Sequence, residues 1–220
     1  MVHLHSVTSS DVVVPPHGLA GTLSVVKNSN GLIVFAHGSG SSHLSPRNLA
    51  VAEALNDRNF ATFLFDLLTQ EEEADRANVF DIQLLAERLV EAVQWLDVQA
   101  PAIARLPVGL FGASTGAAAA LLAAAQLPER ISAVVSRGGR PDLAGEALAK
   151  VRAPTLLIVG GADHGVIELN EQAFARLHAP KAIEIVAGAT HLFPEPGAMD
   201  AVIGHAARWF ESRLIKSQCD

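Results

Sequence analysis

Gly112-Ala113-Ser114-Thr115-Gly116 decides how this chain is read, because it joins an apolar run, Val108-Gly-Leu-Phe111, to an alanine-rich run, Ala117 to Gln126. A short apolar run followed by strong helix formers places Ser114 on a strand-to-helix turn. Glycines on both sides have a physical reason there. A sharp turn forces its central residue into strained backbone, and neighbours without a Cβ let strand and helix approach. A serine hydroxyl raised on such an elbow is exposed at the end of a sheet, where a nucleophile belongs. Five residues alone are a weak pattern in a chain rich in Gly and Ser, so the surroundings carry the weight.

Outward from that turn, the pattern alternates. Before it come β-rich stretches at His3 to Val14, Leu19 to Val26 and Leu32 to Ala36, with Asn30-Gly31 favouring a hairpin turn into the third. Then follow a helix at Pro46 to Asn59, a strand at Ala61 to Asp66, a helix at Val79 to Val98, the Val108 strand and the Thr115 to Leu127 helix. Beyond it lie strands at Ile131 to Ser136, Thr155 to Val159 and Ala182 to Val186. Helical stretches at Ala144 to Lys150, Val166 to His178 and Ala198 to Ile215 separate or close them. Repeated strand-helix units demand an α/β architecture, a mostly parallel sheet with right-handed crossovers and helices on both faces. The first strands are expected to be antiparallel. No repeat or linker suggests a break, so one domain over residues 1–220 is expected.

Composition agrees and narrows the partners. Half the residues are hydrophobic and 18% are charged, which suits a sheet buried on both faces. A net charge of -7, with 16 Lys and Arg in no cluster, offers nothing to a phosphate backbone, so nucleic acid is not an expected partner. The single cysteine, Cys219, permits no intrachain disulfide. The amino terminus lacks the basic and apolar regions of a signal peptide, and no apolar run is long enough to span a bilayer. A cytoplasmic protein without a membrane partner is expected.

In parallel sheets chemistry collects beyond the carboxyl ends of the strands. After the Thr155 strand stands Gly160-Gly-Ala-Asp163, and after the Ala182 strand Ala187-Gly-Ala-Thr-His191. A serine hydroxyl needs an imidazole base at neutral pH, and the imidazole needs a carboxylate to fix its tautomer. Ser114, Asp163 and His191 supply these groups in the chain order of one serine-hydrolase fold. The rivals are His164, which adjoins Asp163 and points away if Asp163 points into the site, His178 and His205, on or at the ends of helices, and Asp142, one strand earlier, as the acid. Donors for a tetrahedral oxyanion are expected from the amide of Thr115 and, in the loop His37-Gly-Ser-Gly-Ser-Ser42, that of Ser39. His37 itself reads as a histidine that pins this loop. Gly38 and Gly40 partly match a dinucleotide fingerprint, but His43 stands at the third glycine position. The chemistry calls for no cofactor and no metal.

His37-Gly-Ser-Gly, Ser45-Pro-Arg-Asn48, Asp66-Leu-Leu, Gly112-Ala-Ser-Thr-Gly116, the glycine-flanked Asp163 and Gly188-Ala-Thr-His191 together resemble the dienelactone hydrolase family of α/β-hydrolases. The resemblance runs from about Leu19 to Phe210. It implies an eight-stranded-type sheet, a triad on Ser114, Asp163 and His191, and ester hydrolysis through an acyl-enzyme. The chain departs from the family's namesake, which has a cysteine nucleophile and a nearby glutamate. Here the nucleophile position is Ser114, and no carboxylate lies between His37 and Asn48. It is more similar to serine-bearing small hydrolases of the superfamily, some of them fused to phosphoribosyltransferase domains.

About 18 residues link the Ile131 and Thr155 strands, too few for a cap domain, so an open site for a small-molecule ester is expected. Arg137 and Arg140 either bind a substrate carboxylate or pair with the acidic segment Thr69-Gln-Glu-Glu-Glu-Ala-Asp-Arg76. That segment reads as a solvated helix entry or as a mobile rim. Phe193 either lines an acyl pocket or packs. The expected function is a serine carboxylesterase. An acyltransferase, amidase or thioesterase with the same triad, and a non-catalytic scaffold, are the alternatives. A homodimer through the early antiparallel strands stays open.

Overall fold

The computed structural model describes residues 6–215. Eight strands form one sheet: β1 (Val7–Val14), β2 (Leu19–Val26), β3 (Leu32–Ala36), β4 (Ala61–Phe65), β5 (Val108–Ala113), β6 (Ile131–Arg137), β7 (Thr155–Gly160) and β8 (Lys181–Val186). Their spatial order is β1-β2-β4-β3-β5-β6-β7-β8. β1 and β2 pair antiparallel, β2 meets β4 antiparallel, and every pairing from β4 to β8 is parallel. This is the mostly parallel architecture with antiparallel first strands that the alternation predicts. His3, where the first strand was expected to start, lies outside the described residues, as does Cys219.

The central strands are short apolar runs because both faces are covered. In β3 the side chains alternate between two cores. Leu32, Val34 and Ala36 join the cluster under α4 (Ile82–Gln99) and α5 (Thr115–Gln126). Ile33 and Phe35 join the one under α1 (Pro46–Asn56) and α7 (Ala198–Leu214). α6 (His164–Arg176) contributes Ala173 to the first cluster. β6 and β7 are joined through a 3-10 segment, Pro141–Lys150, so no separate cap domain is inserted there. None of the described helices is long and apolar enough to cross a membrane.

Two local expectations need correction. Asn30-Gly31 does not close a hairpin, since β4 lies between β2 and β3 and the chain crosses it. The left-handed residue of that link is Asn28, at φ 59°. The helix expected to Asn59 stops at Asn56, because Asn59 takes φ 64° and turns the chain into β4.

Candidate active site

Ser114 sits between β5 and α5 with φ 50° and ψ -122°, a conformation rarely held by a residue with a side chain and costing about 1–3 kcal/mol. Its surroundings explain how it persists. A Cβ at Gly112 would lie 2.4 Å from Ala117 Cα, and one at Gly116 would lie 2.2 Å from Ala36 O. Strand, helix and the β3 loop therefore meet at distances only glycine allows. The Ser114 amide donates to Arg137 O at 3.4 Å, and Ser114 O accepts from Arg140 N at 3.0 Å.

The loops after β7 and β8 bring Asp163 and His191 together. His191 Nδ1 lies 2.8 Å from Asp163 Oδ2, so Nδ1–H donates to the carboxylate and Nε2 is left as the basic nitrogen. The His191 loop is held twice. Glu195 Oε1 accepts from the Thr190 amide at 3.0 Å and from its hydroxyl at 2.5 Å. Gly138, the residue after Arg137, packs so tightly beneath that an added Cβ would stand 2.7 Å from His191 O. His191 thus rests on the residue next to Ser114's own backbone partner. No hydrogen bond joins Ser114 Oγ to His191 among the described residues. Such bonds are often long before substrate binds.

The alternatives go elsewhere. Asp142 is held by Arg140 in a two-pronged pair at 2.9 and 2.8 Å. His205 lies 3.7 Å from Glu184, and His178 lines a groove with Lys150 and Arg152. His37 is buried, accepts at Nε2 from the Leu67 amide at 3.0 Å, and donates from Nδ1 to Gly38 O at 3.0 Å. Burial pulls its pKa below the ordinary value. A neutral His37 thus ties the loop after β3 to the end of β4.

The Ser39 amide donates to Thr115 Oγ1 at 3.2 Å, so the two residues expected to supply oxyanion donors are in contact. Both line a cleft of about 10 Å³, walled by Leu67, Leu68, Val79, Leu85 and Glu73. That is room for about one water. This apolar wall was missed in the sequence, where polarity around it dominates. One signal was present: Thr69-x-x-Glu72 is a capping box, and it opens α2 (Gln70–Ala74), followed by α3 (Arg76–Val79). The acidic segment is therefore short helices placing Glu73 and Val79 at the cleft.

Substrate-side expectations divide. Arg137 and Arg140 do not pair with the acidic segment, because Glu72 is taken by Arg88 at 2.8 Å and Arg140 by Asp142. Arg137 has no carboxylate partner among the described residues. Phe193 is 2% exposed in the core beneath α7 and against Gly138, at φ 56°, which favours packing over lining an acyl pocket.

Residues 31–157 match the model of the alpha/beta hydrolase fold family. A dienelactone hydrolase from Anabaena variabilis is 52% identical, covers 96% of this chain with all of its own, and superposes with a TM-score of 0.90. This chain belongs to the α/β-hydrolases and is a dienelactone hydrolase-like member. The family supports hydrolase activity. Two Mycobacterium tuberculosis proteins, provisionally named phosphoribosyl transferases, are 57% identical over 203 residues. That match takes in 92% of this chain and 46% of theirs, so this hydrolase unit spans about half the length of those relatives. Est1E from Butyrivibrio proteoclasticus shares the fold at 16% identity, with a TM-score of 0.79 over 94% of this chain and 99% of its own.

Proposed function

We propose that this chain is a serine carboxylesterase cleaving small carboxylic esters through an acyl-enzyme. Ser114 Oγ attacks the ester carbonyl while His191 Nε2 takes the hydroxyl proton. Asp163 holds the imidazole in the required tautomer and stabilises it once protonated. The amides of Ser39 and Thr115 receive the oxyanion. The carbon–oxygen bond to the alcohol then breaks, and His191 returns its proton to the leaving alcohol. Water repeats the sequence: His191 takes its proton, the hydroxide attacks the acyl carbon, and Ser114 leaves with that proton as the carboxylic acid departs.

The observation that carries this reading is the Asp163–His191 pair, 2.8 Å apart, whose His191 loop packs on Gly138, one residue beyond the backbone partner of the strained Ser114 elbow. The Ser39 amide lies at the elbow, where it donates to Thr115 Oγ1 at 3.2 Å, and that hydroxyl must turn aside for the amide to receive the oxyanion. The cleft beside them has room for about one water, which leaves no space there for a long acyl chain. The test is covalent labelling by a fluorophosphonate together with hydrolysis of 4-nitrophenyl esters of graded chain length. Labelling at Ser114 and fastest turnover of acetyl and propionyl esters are expected. Folded protein left unlabelled at Ser114 overturns the reading. Product analysis with competing alcohols separates hydrolysis from acyl transfer.

A further inference from the structure

Five of the twelve arginines, Arg58, Arg88, Arg130, Arg140 and Arg152, are neutralised by a carboxylate among the described residues. Of the other seven, Arg137 alone is buried, only 6% exposed. Its Nη2 reaches Asn48 Oδ1 at a long 3.4 Å, and its buried Nε has no partner. Burial first, and then the charge of Arg47, bring its pKa down to about 10. A buried cation beside another cation is an unfavourable arrangement that an anion would relieve.

Arg47 and Asn48 stand in the first turn of α1, and that turn is itself uncompensated. It contains no acidic residue, and Ser45 caps it without a side-chain hydrogen bond. Its first amide with a backbone acceptor is that of Leu49, to Ser45 O at 2.9 Å. Free amides at a helix start carry about half a positive charge. Arg137 points into this turn, through Asn48. Its own carbonyl meets the Ser114 amide, so this one residue joins the turn to the elbow of the proposed nucleophile.

We propose that the first turn of α1, with Arg47 and Arg137, is a binding site for a dianionic phosphate group carried by the substrate. Two guanidinium charges and a helix start match a dianion, whereas a single carboxylate would leave charge uncompensated. Exposed Arg47 and the first-turn amides meet the phosphate, and Arg137 beneath supplies a charge that no carboxylate among the described residues neutralises. The substrate half of this inference rests on the esterase reading; the binding half does not.

The test titrates inorganic phosphate and glycerol phosphate, at constant ionic strength, into the whole chain carrying Ser114→Ala, by calorimetry. Chloride and acetate are the comparison anions. Phosphate binding well above chloride and acetate is expected, weakened roughly tenfold in Arg47→Gln and further in Arg137→Met. Should Arg137→Met not fold, Arg47→Gln and Arg47→Glu carry the comparison. Phosphate binding no tighter than chloride or acetate, or unaffected by the Arg47 substitutions, overturns the site. Phosphate binding as expected, found together with wild-type protein whose Ser114 takes no fluorophosphonate, keeps the site and removes the esterase.

Discussion

His191 Nδ1 stands 2.8 Å from Asp163 Oδ2, although the two residues are carried on loops that follow different strands. Their pairing decides which imidazole nitrogen is basic. It also gives Asp163 a role that Asp142, held by Arg140, is not placed to take.

Asp163→Asn should therefore fold normally and fail chemically. The amide no longer selects the Nδ1–H tautomer, and kcat for 4-nitrophenyl acetate is expected to fall by about 10⁴. A steady-state comparison beside circular dichroism checks this. Loss of less than tenfold in folded protein would place the acid elsewhere.

Gly112→Ala tests the elbow. The new methyl would lie 2.4 Å from Ala117 Cα, and backbone must move to accept it. Destabilisation of about 2 kcal/mol or more is expected, or a Tm lower by roughly 4–8 °C. Gly165→Ala is the control, since a Cβ at that helical glycine meets nothing within 4 Å. It should leave Tm unchanged or raise it slightly. Equal losses in both variants would refute the packing argument.

Glu195 acts through Thr190 on the His191 loop, without reaching the site itself. Glu195→Ala removes the acceptor of both Thr190 bonds, while Glu195→Gln keeps an oxygen in its place. The alanine variant is expected to lose roughly ten- to hundredfold in kcat with little change in KM, and glutamine to restore most of it. A structural brace alone would show in Tm and leave the kcat-to-KM split untouched.

Stability should depend on His37 in one direction. Burial holds its pKa below the ordinary 6.5 in the folded protein. The unfolded chain then takes up the proton first, so stability is fully present above about pH 6.5 and is lost as pH falls toward the folded value. Urea midpoints measured across that range should slope for the wild type. The slope should flatten in His37→Gln, and parallel curves would show that His37 contributes nothing.

Much of this was legible along the chain. The alternation of apolar runs and helical stretches predicted the strand and helix order, because each element's burial is written as a local period. Ser114, Asp163 and His191 could be nominated because strand ends are recognisable and the elbow needs small neighbours. Asn30-Gly31 misled, since a turn signal reports two or three residues and says nothing of β4 coming between. The partners expected for Arg137 and Arg140 were wrong for a similar reason. Opposite charges in a sequence do not reveal that Arg88, on α4, reaches Glu72 first.

The sequence by itself determined the class of fold and the types of group at the strand ends, because backbone periodicity and glycine's lack of a Cβ act over a few residues. Only the tertiary structure decided that Asp163 meets His191, that Leu67, Leu68, Val79 and Leu85 wall a cleft beside Ser39, and that Arg137 is buried without a counter-charge among the described residues. Those facts depend on distances between segments far apart in the chain. The packing of strands and helices sets such distances, and no local pattern encodes them.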